Sequence, residues 1–225
     1  MKAISGKIYL TEILHEKGSL TFQHPSFRGT YGSIAEQIDA EGLQRPTSAQ
    51  IASLVYDALQ NPTGEYEAGI LNLLKNSWLF EFNGNLYLPK KERAEVHNGV
   101  IVEVNPTIKD GRLVMDRKSL IKRLNRNDSN VKFVPFGYPT GEQSYHTLAK
   151  NPYIIARYGE EGADKIADLA SKHKYNPFVW SFESVNSEIV RMSALNDDFD
   201  FGVRLHVDGD NWDDNSRGHS FGVKK

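Results

Sequence analysis

Between positions 199 and 207 every second residue is apolar: Phe199, Phe201, Val203, Leu205 and Val207. A spacing of two is the period of a strand with one buried face. The surrounding residues are mostly Asp, Asn, Gly and Ser, which form turns because Gly supplies positive φ and the others bond their own backbone. A solvated loop would account for those turn formers but not for the alternation, because a segment patterned in this way has a face to bury. Residues near the C-terminus must therefore join a sheet while presenting many small polar side chains on its other side.

The same window, residues 195–223, contains no Lys, Glu, Gln or Met. Its seven aspartates stand against Arg204 and Arg217 alone, a formal charge of −5 in a chain whose net charge is only −2. Clustered carboxylates suit a hard cation such as calcium. The spacing of a calcium loop fails, however: after Asp208 and Asp210 the next ligand position is Trp212, and Arg217 puts a cation where a ligand belongs. The genetic code offers another account. Randomising the two adenines of an asparagine codon that ends in a pyrimidine excludes Lys, Glu, Gln, Met and Trp. It allows Asp, Asn, Gly, Ser, His, Arg, Phe, Leu and Val. The window uses this alphabet, with Trp212 the one exception and a candidate fixed position. In composition it resembles the variable region of a diversity-generating retroelement target protein.

Toward the N-terminus, residues 3–14 read as one or two short strands, followed by a loop through His24, Pro25, Ser26, Phe27 and Arg28. A short amphipathic helix over residues 33–43 carries Ile34, Ala35 and Ile38 on one face and ends at Gly42. Thr47 and Gln50 after Pro46 form a capping box, and Ile51, Leu54, Val55, Ala58 and Leu59 follow as the buried stripe of a second helix. The cap contributes about 1 kcal/mol, and burial of the stripe holds the helix.

The run Gly42, Leu43, Gln44, Arg45, Pro46, Thr47, Ser48, Ala49, Gln50 resembles the G-x-R-L-P-T-E-A-E segment of formylglycine-generating-type C-type lectin folds. Gln44 and Arg45 stand for the Arg-Leu pair, and Ser48 and Gln50 replace the two glutamates. That fold closes with Gly-Phe-Arg-Val in a strand that returns to pair with the first, and this chain closes with Phe221, Gly222, Val223 and Lys224. The resemblance implies an α+β architecture: a single C-type lectin-like domain over residues 1–225. Residues 1–60 would supply a strand and two helices, 61–188 a long α/β insertion, and 189–225 the variable strands and loops.

Within 61–188, residues 65–75 read as a helix. Residues 78–88 read as a hairpin turning at Asn83 and Gly84, and 100–104 as a strand. Asp110 and Gly111 mark a turn before a short strand at 113–115, and Asp116 caps a helix that buries Leu120, Ile121 and Leu124. The outer face of that helix, with Arg117, Lys118, Lys122, Arg123 and Arg126, would suit phosphate contacts. Without interleaved aromatic residues, a solvated face is the simpler account. Residues 131–136 read as a buried strand and 137–141 as a turn. Residues 148–172 read as helix broken at Asn151–Pro152 and at Gly159 and Gly162, and 177–182 as a strand.

Catalytic signatures are weak. The chain has no cysteine, which removes disulfides, thiolate metal sites and the cysteine chemistry of formylglycine-generating enzymes. Seven histidines show neither an i, i+4 pair nor H-E-x-x-H. Gly218, Ser220 and Gly222 match G-x-S-x-G, but a nucleophile elbow needs a following helix and only Val223, Lys224 and Lys225 remain. The expectation is a non-enzymatic ligand-binding protein without cofactor or metal, whose partner is a protein or glycan on another cell or virus surface. A calcium-dependent glycan binder and an enzyme on the same fold are the alternatives. Neither nucleic-acid binding nor membrane insertion is expected, since no apolar run spans a bilayer. The N-terminus lacks the apolar core of a signal peptide, so the protein would be cytoplasmic, virion-associated or displayed by another route. Within the window, Phe199, Val203, Val207, Trp212 and Phe221 are expected as scaffold. Asp198, Asp200, Gly202, Leu205, His206, Asp208, Asp210, Asn211, Asp214, Asn215 and His219 are expected as the displayed, ligand-binding set.

Overall fold

The computed structural model describes residues 9–90, 98–197, 204–212, 214 and 216–224. The first two strands, β1 (Tyr9–His15) and β2 (Gly18–Gly29), pair antiparallel. The loop expected through His24–Arg28 is instead the second half of β2. His24 Nε2 lies 2.9 Å from Thr11 Oγ1, and its ring packs 4.9 Å from that of Phe221. Burial lowers the His24 pKa to about 4, so the ring sits neutral in this stack.

Helix α1 (Tyr31–Ala40) starts at Thr30, whose side chain accepts from the Ser33 N–H, and stops before Gly42, where φ is +68°. Helix α2 (Ser48–Gln60) carries both halves of the expected capping box, and buries Ile51, Leu54, Val55 and Ala58. Each large apolar side chain buried in this way stabilises the fold by roughly 1.5–3 kcal/mol. Helix α3 (Glu65–Asn76) follows as expected.

Residues 78–88 do not turn back. They form one continuous strand, β3 (Trp78–Leu88). At its midpoint the Phe82 N–H donates to Pro46 O and Phe82 O accepts from the Asn105 N–H. Asn83 Oδ1 accepts from the Ser48 N–H at the start of α2, 2.9 Å away. Asn-Gly therefore serves a bulge facing buried backbone rather than a hairpin turn, and the register against the neighbouring strand shifts there.

Then come β4 (Gly99–Val104), β5 (Thr107–Lys109), β6 (Arg112–Val114) and α4 (Arg117–Leu124), whose cap Asp116 accepts from the Ser119 N–H. Two of the cations on the outer face of α4 are held by carboxylates of the chain: Arg117 by Glu188, and Arg123 by Glu103 and Asp128. β7 (Val131–Pro135), β8 (Gly141–Glu142), α5 (Tyr145–Lys150) and α6 (Pro152–Ser171) continue the chain. Gly159 kinks α6 at φ +71°, whereas Gly162 continues the helix. The last strands are β9 (Phe178–Trp180), β10 (Ile189–Asp197), β11 (Leu205–Asn211) and β12 (Gly218–Val223).

The strands run β1-β2-β12-β3-β10-β11-β9-β8 across one sheet, with β4 beside β3 and β7 beside β4. One face packs against α2, α3, α5 and α6 through Leu79, Tyr87, Leu195, Leu205 and Val207. The other packs against α1, α4 and the β5–β6 hairpin through Phe80, Phe82, Met192 and Ala194. Two expectations change here. The closing strand β12 pairs with β2 rather than with β1, because β2 extends through the segment read as a loop. Residues 61–188 also do more than decorate the sheet, since β3 lies at its centre between β12 and β10.

Candidate functional site

The two sequence signals at opposite ends of the chain meet in space. Gln44 and Val223 exchange backbone hydrogen bonds of 2.8 and 2.9 Å. Arg45 forks onto Asp39 with bonds of 3.0 and 2.5 Å, and its guanidinium lies 5.9 Å from the ring centre of Phe82. The segment before α2 thus locks the closing strand against the sheet.

Residues 195–223 supply the end of β10, all of β11 and all of β12. Beneath β11 lies a buried polar network. The Tyr87 hydroxyl donates to Gly209 O at 2.8 Å, and the Tyr153 hydroxyl donates to Asn85 Oδ1 at 3.0 Å. Asn85 Nδ2 donates to Ser193 Oγ on β10 at 3.0 Å. Deeper still, Glu81 accepts from Ser48 Oγ, Arg157 Nη2 and the Tyr158 hydroxyl. Burial pushes the phenols of Tyr87 and Tyr158 well above their usual range, so both remain protonated donors.

Above this layer the window divides. Val207 and Phe221 are buried, as expected of scaffold, and Leu205 joins them although it was expected on display. Leu205 and Val207 lie two apart on one strand and must share a face. Asp208 and Asn211, also expected on display, are only 5% and 7% exposed. Asp208 pairs across β9 with Trp180 and accepts from the Asp210 N–H, while Asn211 sits opposite Met192. Trp212, expected as scaffold, is instead 61% exposed, since it follows the last residue of β11. His206, Asp210 and His219 keep partial exposure and Asp214 is exposed. Asp198, Asp200, Gly202 and Asn215 lie outside the described residues, as do Phe199 and Val203.

Residues outside the window complete the surface. Phe178 and Trp180 on β9 pack with ring centres 4.3 Å apart, and the His206 ring stands edge-on to both at 6.2 and 5.9 Å. Arg204 holds Glu142 at 2.8 Å and lies over Tyr175. Sequence reading places Phe178 and Trp180 on a strand, but nothing local shows that it lies parallel beside β11.

The electrostatics centre on Asp208. Burial and the nearby Asp210 side chain raise its pKa well above the ordinary value, against the smaller opposing pull of the Asp210 N–H. The folded chain therefore keeps a proton that the unfolded chain loses near pH 4. Stability from this group is complete below that pH and is lost as pH rises through the folded pKa. Asp208→Asn is expected to flatten this fall and to raise the urea midpoint at pH 8 while leaving it nearly unchanged at pH 3. Identical pH profiles for the two proteins would refute the assignment.

Catalytic geometry does not assemble around the G-x-S-x-G match. Ser220 is fully buried within β12 and its Oγ donates to Phe80 O at 2.9 Å. His15, His24, His173 and His219 each bond a different partner: Ser53, Thr11, Asp197 and Ser26. Among the described residues no three His, Asp or Glu side chains converge as metal ligands would. No described helix is long and apolar enough to cross a membrane.

No family model matches the sequence, and no curated protein matches it. A solved structure described as "Accommodation of massive sequence variation in Nanoarchaeota by the C-type lectin fold" superposes with a TM-score of 0.58. It aligns over 96% of this chain and 97% of its own length at 14% sequence identity. The chain has a C-type lectin fold. The α+β architecture implied by the two terminal motifs is thus correct, and in this C-type lectin fold the described part of the Asp-rich window contributes to three strands of the sheet.

Proposed function

We propose that the chain is a non-enzymatic ligand-binding and display protein. Its C-terminal window is rewritten by an adenine-directed retroelement, so that a fixed fold presents changing surfaces. The observation that carries this reading is the division of the window by burial. Leu205, Val207, Phe221 and Val223 lock the strands into the core, while His206, Asp210, Asp214 and His219 reach the surface from the same strands and the turn between them. Exposed substitutions typically change stability by only about 0.5 kcal/mol, so such positions tolerate rewriting. A structure of the same fold described in terms of massive sequence variation supports the reading.

The partner is a protein or glycan on another cell or virus surface. Among the described residues, those of the window that reach the surface are fewer than the roughly 20–30 per side of a standard interface. A single copy therefore binds modestly, and many copies on one surface gain through effective concentration. The decisive experiment is to sequence the DNA downstream of the gene. We expect a near-copy of the window codons, close to a reverse transcriptase gene, differing mainly where the copy carries adenines. Absence of that copy at the native locus would overturn the proposal, and calcium titration would then test a metal-dependent glycan site.

A further inference from the structure

Trp212 is the one window residue outside the adenine-derived alphabet, and it is also the most exposed large apolar side chain of the window's described part. Its ring is nevertheless held. The Arg191 guanidinium lies 3.8 Å from the Trp212 ring centre and 5.8 Å from that of Phe182, which packs edge-on against buried Tyr87 at 4.9 Å. A column thus rises from the core: Tyr87, Phe182, Arg191, Trp212. Arg191 Nη1 is fixed on Val190 O, and its Nε has no hydrogen-bond partner, so stacking is what the guanidinium does here. In front of the indole lies a cleft of about 380 Å³, lined by Thr30, Asp110, Gly111, Arg112, Trp212 and Asp214. One wall belongs to the window and the other to the β5–β6 hairpin. Every charged residue within two positions of Trp212 in the sequence is an aspartate: Asp210, Asp213 and Asp214.

We infer that Trp212 is a fixed anchor of the binding site and that this cleft takes a basic side chain, an arginine or lysine, from a protein partner. The ligand's cation is the next rung of the column. A cation over an indole face is stabilised by the negative face of the ring quadrupole, more strongly as the pair loses water. Asp110 and Asp214 on opposite walls offset its repulsion from Arg112 and Arg191. A ring already immobilised by Arg191 loses little side-chain freedom on binding, as suits an interface hot spot. The inference rests on the ligand-binding reading of this face and adds the chemistry of one contact.

The test is an NMR titration of the full ¹⁵N-labelled chain with a short glycine-arginine peptide, following the indole N–H signals of Trp78, Trp180 and Trp212. We expect a saturable shift at Trp212 that weakens with added salt and is absent with the matching glycine-glutamate peptide. Arg191→Leu and the double substitution Asp110→Asn, Asp214→Asn should each weaken binding by about tenfold. Their amide spectra serve as the check on folding. No shift at Trp212, an equal response to the glutamate peptide, or a shift with methyl glucoside but not with the arginine peptide would each overturn the proposal. Because the downstream template is read from DNA, failure of the anchor and failure of the diversification reading are separately visible.

Discussion

Arg157→Met is expected to lower the unfolding free energy by about 3–5 kcal/mol, a large share of the stability of a domain this size. Arg157 and Glu81 are both fully buried, at 0% side-chain exposure, with Nη2 and Oε2 2.5 Å apart. Removing the cation leaves a carboxylate in the core with Ser48 and Tyr158 as its remaining side-chain donors among the described residues. The loss arises mainly from that stranded charge rather than from a strong pair. The double variant Glu81→Leu, Arg157→Met should therefore recover part of it. Recovery is incomplete because the Ser48 and Tyr158 hydroxyls then lose their acceptor. Urea unfolding of the three proteins checks this directly. A single variant within about 1 kcal/mol of the parent would show that the pair does not stay charged and tightly held. The site matters for binding too, since Arg157 sits on α6 one turn from Tyr153, whose hydroxyl bonds the layer that carries β11.

What was legible in the sequence depended on whether its cause was local. The Thr47–Gln50 box spans one helical turn and needs no partner elsewhere, so it appears in the structure as read. Asp110–Gly111 and the Asp116 cap are equally local and equally clear. Asn83–Gly84 carries the same residue types as a tight turn, yet a buried asparagine that accepts from the Ser48 N–H leaves an identical signature in one sequence. The window shows the same limit. Its period of two placed Val207 in the core and should have placed Leu205 there as well, by parity alone. Asp208 was beyond reach, because what covers it includes the pairing of β11 with β9, a strand separated from it in sequence by the whole of β10. Standing outside the adenine-derived alphabet marks Trp212 as a candidate fixed position but says nothing of its burial. Its column of Arg191 on β10, Phe182 just past β9 and Tyr87 on β3 is brought together only by the sheet order.

Gly209→Ala is expected to cost about 3 kcal/mol, whereas most substitutions at Asp214 should cost no more than about 0.5 kcal/mol, although both positions lie in the same window. A Cβ on Gly209 would fall 1.6 Å from the Tyr153 hydroxyl and 2.7 Å from its Cζ. That hydroxyl cannot simply retreat. It bonds Asn85 and lies 3.3 Å from the Tyr87 hydroxyl, and the Tyr153 ring is stacked on Tyr138 with centres 5.0 Å apart. Moving the strand instead would break the Tyr87 bond to Gly209 O. Asp214 lies on a turn and is exposed. Thermal or urea midpoints of the two series test the contrast, and equal tolerance at both positions would refute it. The same contrast bears on diversification. If the template carries adenines at this codon, mutation alone would not keep Gly209. If the window is rewritten in nature, folded products should retain glycine at 209 while 206, 210 and 214 vary, and sequencing the gene across a population would display that filter directly.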